Sequence, residues 1–86
     1  MKIEKKIWPK YFEKICNGEK DFEVRLNDYE YNIGDVLLLR EWNPENKTYT
    51  GKSIEKTIKY IAKTKDMKYW TEEEIQKNGF VILGLK

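Results

Sequence analysis

The chain opens on a two-residue alternation with isoleucines on one side of it. Ile3, Lys5 and Ile7 alternate with Lys2, Glu4 and Lys6, the pattern of a short strand. Pro9 then opens "PKYFEKICNG", with φ already set for a first helical turn and no N–H to satisfy. Phe12, Ile15 and Cys16 fall on one face of that helix, and Asn17-Gly18 is a stop signal. A period of two returns in "DFEVRL", where Phe22, Val24 and Leu26 alternate with Asp21, Glu23 and Arg25 as in a half-buried strand. "NDYEYNIGD" reads as a loop. The unbroken apolar run of "VLLLREW" predicts a strand covered on both faces. A turn at "NPENK" and a returning "TYTG" make residues 36–50 a hairpin.

The remainder is less uniform. "SIEKTIKYIA", residues 53–62, fits a helix or a strand equally well by periodicity. "TEEEIQKNG" predicts a helix capped by Thr71, with Glu74 three residues on and Asn78-Gly79 as its stop. "FVILGLK" closes the chain as an apolar strand. The sum is an α+β domain spanning residues 1–86: a small mixed sheet or barrel with two short helices.

Composition narrows the chemistry. With 86 residues there is room for one core, and a charged fraction of 37% has its signs interleaved rather than blocked. The net charge of +2 permits an anionic partner without requiring one. Of 17 basic residues only Arg25 and Arg40 are arginines, so each is expected where a planar multi-donor group is needed. The absence of histidine excludes Ser-His-Asp and Cys-His catalysis and histidine-ligated zinc. The single Cys16 allows neither an intrachain disulfide nor a thiolate zinc cluster, and no spacing suggests another metal or cofactor. No secretory stretch or membrane-length apolar run is present, which predicts a cytoplasmic protein without a membrane partner.

The candidate chemistry collects in "GEKDFEVR". Along a strand, Glu23 and Arg25 share the face opposite Phe22 and Val24, about 6.6 Å apart, with Lys20 at the strand entrance. This is either a solvated polar face or a binding site. Glu41 shares parity with Leu37 and Leu39, so it either faces Lys20 or Arg25 across the sheet or lies beyond the end of the core. Phe12, Phe22, Phe80 and Tyr60 are expected in the core, as is Cys16, and Trp70 as a hydrophobic staple. Trp8 and Trp42 flank turns beside charges, where each can pack structurally or stack on a base.

"KIWPKYFEKICNGEKDFEVRLND", "IGDVLLLREWNP", "YTGKSI" and "GFVILGL", in this order, closely resemble a small bacterial and phage family of ASCH-like domains in the PUA-like superfamily. The resemblance implies a β-barrel of about five or six mostly antiparallel strands with two short helices, and strand for 53–62. It also implies binding of RNA or of a modified nucleotide or nucleoside, in a cleft lined by Lys6, Lys20, Glu23 and Arg25. Glu41, Trp42, Tyr49 and Thr50 match positions bordering that cleft; in the RNA-binding reading Glu23 would accept from an exocyclic amine and a Trp or Tyr would stack. Relatives often carry histidine where Ile3 stands here. More distant ASCH proteins resemble amidohydrolases that deacylate modified cytidine; Lys20 matches their lysine, and Glu23 stands where they carry threonine. In that alternative Lys20 would be the base or nucleophile and Glu23 the proton carrier. A third possibility is a phage or mobile-element accessory domain whose cleft binds a protein.

Overall fold

The opening alternation forms the edge of a three-stranded sheet. In the computed structural model, which describes all 86 residues, β1 (Lys2–Ile7) runs parallel to β2 (Val36–Asn43), and β3 (Thr48–Thr57) returns antiparallel on the other side of β2. Parallel neighbours need a long crossover. Here it holds α1 (Pro9–Cys16), which starts at the predicted proline and ends at Asn17. After β3 come a single 3₁₀ turn (Thr64–Asp66) and α2 (Glu72–Asn78).

The core is small and lies between α1 and one face of the sheet. Phe12 and Ile15 of α1 meet Ile3 and Ile7 of β1 and Leu37 and Leu39 of β2. Ile3 pairs with Leu37, Lys5 with Leu39 and Ile7 with Glu41, so the buried row of each strand lies on the same face. Leu39, 1% exposed, is its centre.

Several expectations change. The sheet is open and mixed, with three strands where the resemblance implies a closed, mostly antiparallel barrel of more. Residues 20–26 and 80–86 form no ladder. The first of these is tied to edge strand β1 by a side chain: the Arg25 guanidinium donates to the carbonyl of Lys6. The 53–62 segment is strand only as far as Thr57. β2 is buried on one face; Val36, Leu38, Arg40 and Trp42 on the other are half-buried.

The alternation in "DFEVRL" is also inverted in burial. Val24 and Leu26 are 60% and 80% exposed, whereas the Lys20 and Glu23 side chains retain 17% and 15%. Phe12 is buried as expected, but Phe22 is only half-buried, and Phe80 and Tyr60 are exposed. Cys16 is exposed because α1 meets the sheet through Phe12 and Ile15. Trp70 packs edge-on against Phe80, ring centroids 6.0 Å apart, bracketing the two ends of α2. The predicted capping box is present: Thr71 accepts from the Glu74 N–H, and Glu74 accepts from the Thr71 N–H.

Candidate functional site

Lys20 is set by the way α1 ends. Gly18 takes φ +84°, a conformation costly for residues with a Cβ, and turns the chain back. The Lys20 N–H then donates to the Lys14 carbonyl at 3.0 Å. Beside this turn Lys14 and Glu19 pair at 2.7 Å. Their hydrogen bond raises the Lys14 ammonium and, with help from Asn17, lowers the Glu19 carboxyl.

From this anchor a chain of charge-assisted bonds runs across "KDFEVR". Lys20 Nζ donates to Glu23 Oε1 at 2.8 Å and to the Phe22 carbonyl at 2.7 Å. Arg25 Nε donates to Glu23 Oε2 at 2.8 Å, and its Nη2 reaches the Lys6 carbonyl at 2.7 Å. One carboxylate thus holds two cations, one on each oxygen, leaving the trio a net positive charge. Glu23 has no oxygen left without a partner. Arg25 keeps donors on both terminal nitrogens, and Lys20 keeps one.

An aromatic pair adjoins the trio. Trp8, the N-cap of α1, and Tyr11 stack with centroids 6.5 Å apart and planes 27° apart, and both rings are substantially exposed. Lys10 Nζ lies 5.2 Å and Lys20 Nζ 6.0 Å from the centre of the Tyr11 ring. Tyr11 was absent from the residues expected in the site. Its three-residue spacing from Trp8, which places neighbours on one helix side, was the signal available.

Lys6 joins this region to a second one. Its carbonyl takes Arg25, and its ammonium sits 4.5 Å over Trp42 and 5.9 Å from the Tyr49 ring centre. Trp42 and Tyr49 are cross-strand partners, and Arg40 lies 3.7 Å over Tyr49 while its Nη1 pairs with Glu4 at 3.0 Å. The rings of Trp42 and Tyr49 therefore each carry a cation of the protein's own.

Glu41 and Thr50 form a separate unit on the core face. Between Trp42–Tyr49 and Arg40–Ser53 the register shifts, so Thr50, Gly51 and Lys52 bulge opposite Glu41, with Gly51 at φ +96°. The bulge brings the Thr50 hydroxyl to donate to Glu41 Oε1 at 2.6 Å. The pairing of buried Glu41 with Lys20 or Arg25 does not occur; both cations are occupied by Glu23. A groove of about 770 Å³, lined by the trio itself, opens between residues 20–27 and 56–64, with Leu37 and Leu39 at its floor. No group of three or more His, Cys, Asp or Glu side chains is placed to hold a metal ion. No helix is long and apolar enough to cross a membrane.

Comparison with known proteins places the chain in a family. The family described as "Domain of unknown function (DUF3850)" matches residues 3–85. An "Uncharacterized 12.9 kDa protein in GpA 3'region" of Escherichia phage P2 is 33% identical over 72 residues, which are 84% of this chain and 62% of the phage protein. A "Methylphosphonate synthase" of Nitrosopumilus maritimus (strain SCM1) is 59% identical over 29 residues, 34% of this chain and 6% of the synthase. The chain thus spans about three-fifths of the phage protein's length and a small piece of the synthase's.

Proposed function

Because the chain belongs to the DUF3850 family, whose function is unknown, its role has to be read from its site, and we propose that it is an ASCH-like domain of the PUA-like superfamily that binds single-stranded RNA or a nucleotide. A PUA-like barrel built on this sheet would add residues 22–26 and 80–85 as strands. The observation that carries the binding reading is the contiguity of the Lys20–Glu23–Arg25 trio with the exposed Trp8–Tyr11 pair.

The roles follow from which groups are free. A base stacks on Trp8, which is half exposed and carries no cation of the protein's own, whereas the rings of Tyr11, Trp42 and Tyr49 already carry Lys10, Lys6 and Arg40. A phosphate meets Lys10, the third donor of Lys20 and the open guanidinium edge of Arg25. Glu23 acts indirectly: with both oxygens occupied it fixes the two cations instead of reading a base. Single-stranded RNA suits the site because its bases are accessible, and the net charge of +2 favours modest, salt-sensitive affinity. The hydrolase alternative requires the Lys20 nitrogen to be free for attack or proton transfer, whereas here Nζ is engaged with Glu23 and the Phe22 carbonyl.

The test is a titration of short single-stranded RNAs at low salt, followed by tryptophan fluorescence. Saturable quenching that Lys20→Ala and Arg25→Ala weaken supports the proposal. Absence of binding at any salt rejects it. Turnover of an acylated cytidine that Lys20→Ala abolishes would replace it with the hydrolase reading.

A further inference from the structure

The trio and Trp8 can hold a phosphate and a stacked base, yet they offer no free acceptor to a base edge, since both Glu23 oxygens are taken. Another acid has one to offer. Asp35 and Glu41 are the two buried acids, each 8% exposed. Asp35 is fully used: Oδ1 accepts from the Met1 amine and Oδ2 from the Asn32 N–H. Glu41 is not. Its Oε1 accepts from the Thr50 hydroxyl at 2.6 Å, and its Oε2 has no partner. The one side-chain nitrogen or oxygen that is both sealed from solvent and unpaired is the Tyr31 hydroxyl, so Glu41 Oε2 touches solvent. Packing does not ask for a carboxylate here. Ile7 stands across from it and Leu39 two residues before it on the same face, surroundings that suit an apolar side chain.

The register ties Glu41 to the same site. Ile7 is its partner on β1, Arg25 holds the carbonyl of Lys6, and Trp8 leads into α1, which packs over the face that Glu41 shares. Phosphate-binding, acceptor and stacking groups thus gather at the successive residues Lys6, Ile7 and Trp8, with β2 one strand spacing of about 4.8 Å away. We propose that Glu41 Oε2 reads the base stacked on Trp8, selecting bases whose edge carries an exocyclic amine over those with a carbonyl in its place. The inference rests on the RNA-binding reading and gives it a specificity. Thr50 is the positioning residue: by holding Oε1 it leaves Oε2 on the solvent side. An amine N–H donates to Oε2, whereas a carbonyl sets two acceptors against each other and leaves both unpaired.

The experiment titrates two short RNAs, one of cytidine alone and one of uridine alone, into the full chain at low salt and neutral pH, read by tryptophan fluorescence. The two differ at the base edge by amine against carbonyl. The expected result is roughly tenfold tighter binding of the cytidine RNA. Glu41→Gln should invert the preference: the amide oxygen keeps the Thr50 bond, and the amide nitrogen offers a donor where Oε2 stood. A variant that binds the uridine RNA is folded, so inversion excludes collapse of the fold as its cause. Thr50→Val, which frees the carboxylate to turn, should narrow the wild-type preference without inverting it. Equal affinity for the two RNAs, with both weakened by Arg25→Ala, overturns this inference and leaves the binding site standing. A cytidine preference that Glu41→Gln leaves unchanged overturns it too. Binding of neither RNA overturns the inference and the RNA reading together.

Discussion

The first half of the chain and the last third are both rich in apolar residues, but only one of them buries any. All eight buried residues lie between Ile3 and Glu41. "FVILGL" at the other end is more apolar than any strand of the sheet, and Val81, Leu83 and Leu85 remain largely exposed. Hydrophobicity therefore does not decide burial here; a facing element does. α1 supplies one to β1 and β2, whereas the contacts of residues 80–85 with Phe22 and Trp70 leave Val81, Leu83 and Leu85 bare. The same contrast holds for the helices. α1 sends Phe12 and Ile15 into the core, whereas α2 has no buried residue and depends on its capping box and the Trp70–Phe80 contact.

Substitutions should separate the two regions by size of effect. Leu39→Ala empties the centre of the core and should cost about 2–5 kcal/mol, read as a fall in the urea midpoint. Thr50→Val removes the one hydrogen bond to buried Glu41 and should cost about 1–3 kcal/mol in the same measurement. An unchanged midpoint would show that the bulge does not hold Glu41. Thr71→Ala should cost α2 about 1 kcal/mol, seen as faster amide exchange over residues 72–78 with little change in the global midpoint. A global loss would mean that α2 is part of the main cooperative unit.

The smallest effect is with pH. The Thr71 backbone N–H, and then its hydroxyl, hold the Glu74 carboxyl below its ordinary value. A carboxyl lowered by folding stabilises the folded form above its unfolded pKa, and that contribution fades as pH falls through the folded value. Amide exchange in α2 should therefore quicken as the solution is acidified below the ordinary Glu range, while β2 keeps its protection. Glu74→Gln should remove this pH dependence.

Local chemistry explains how much of this could be read in advance. Pro9 and Asn17-Gly18 bounded α1, the Thr71–Glu74 box placed α2, and the turn around Pro44 placed the β2–β3 hairpin, because these signals act within a few residues. The trio was legible for the same reason: Lys20, Glu23 and Arg25 are near in sequence. What depended on distant partners was not. The alternation of Phe22, Val24 and Leu26 specifies two faces but not which one finds cover, and here the charged side is held by Lys6 and Glu23. Glu41 was recognised as unusual, yet its partner Thr50 arrives through a register shift that no periodicity announces. Tyr11 carries no local signal beyond its spacing from Trp8, because an aromatic on a short helix ordinarily belongs to the core.

The central claim concerns which cations and rings meet a nucleic acid. It is tested most directly by titrating one short single-stranded RNA into the wild type, Arg25→Ala and Arg40→Ala at low salt. Arg25 keeps open donors in the trio that meets Tyr11 through Lys20, whereas Arg40 is engaged with Tyr49 and Glu4. The account predicts that Arg25→Ala weakens binding by about tenfold while Arg40→Ala changes it little, with affinity falling as salt is raised. Equal losses in the two variants, or binding indifferent to both, would contradict it.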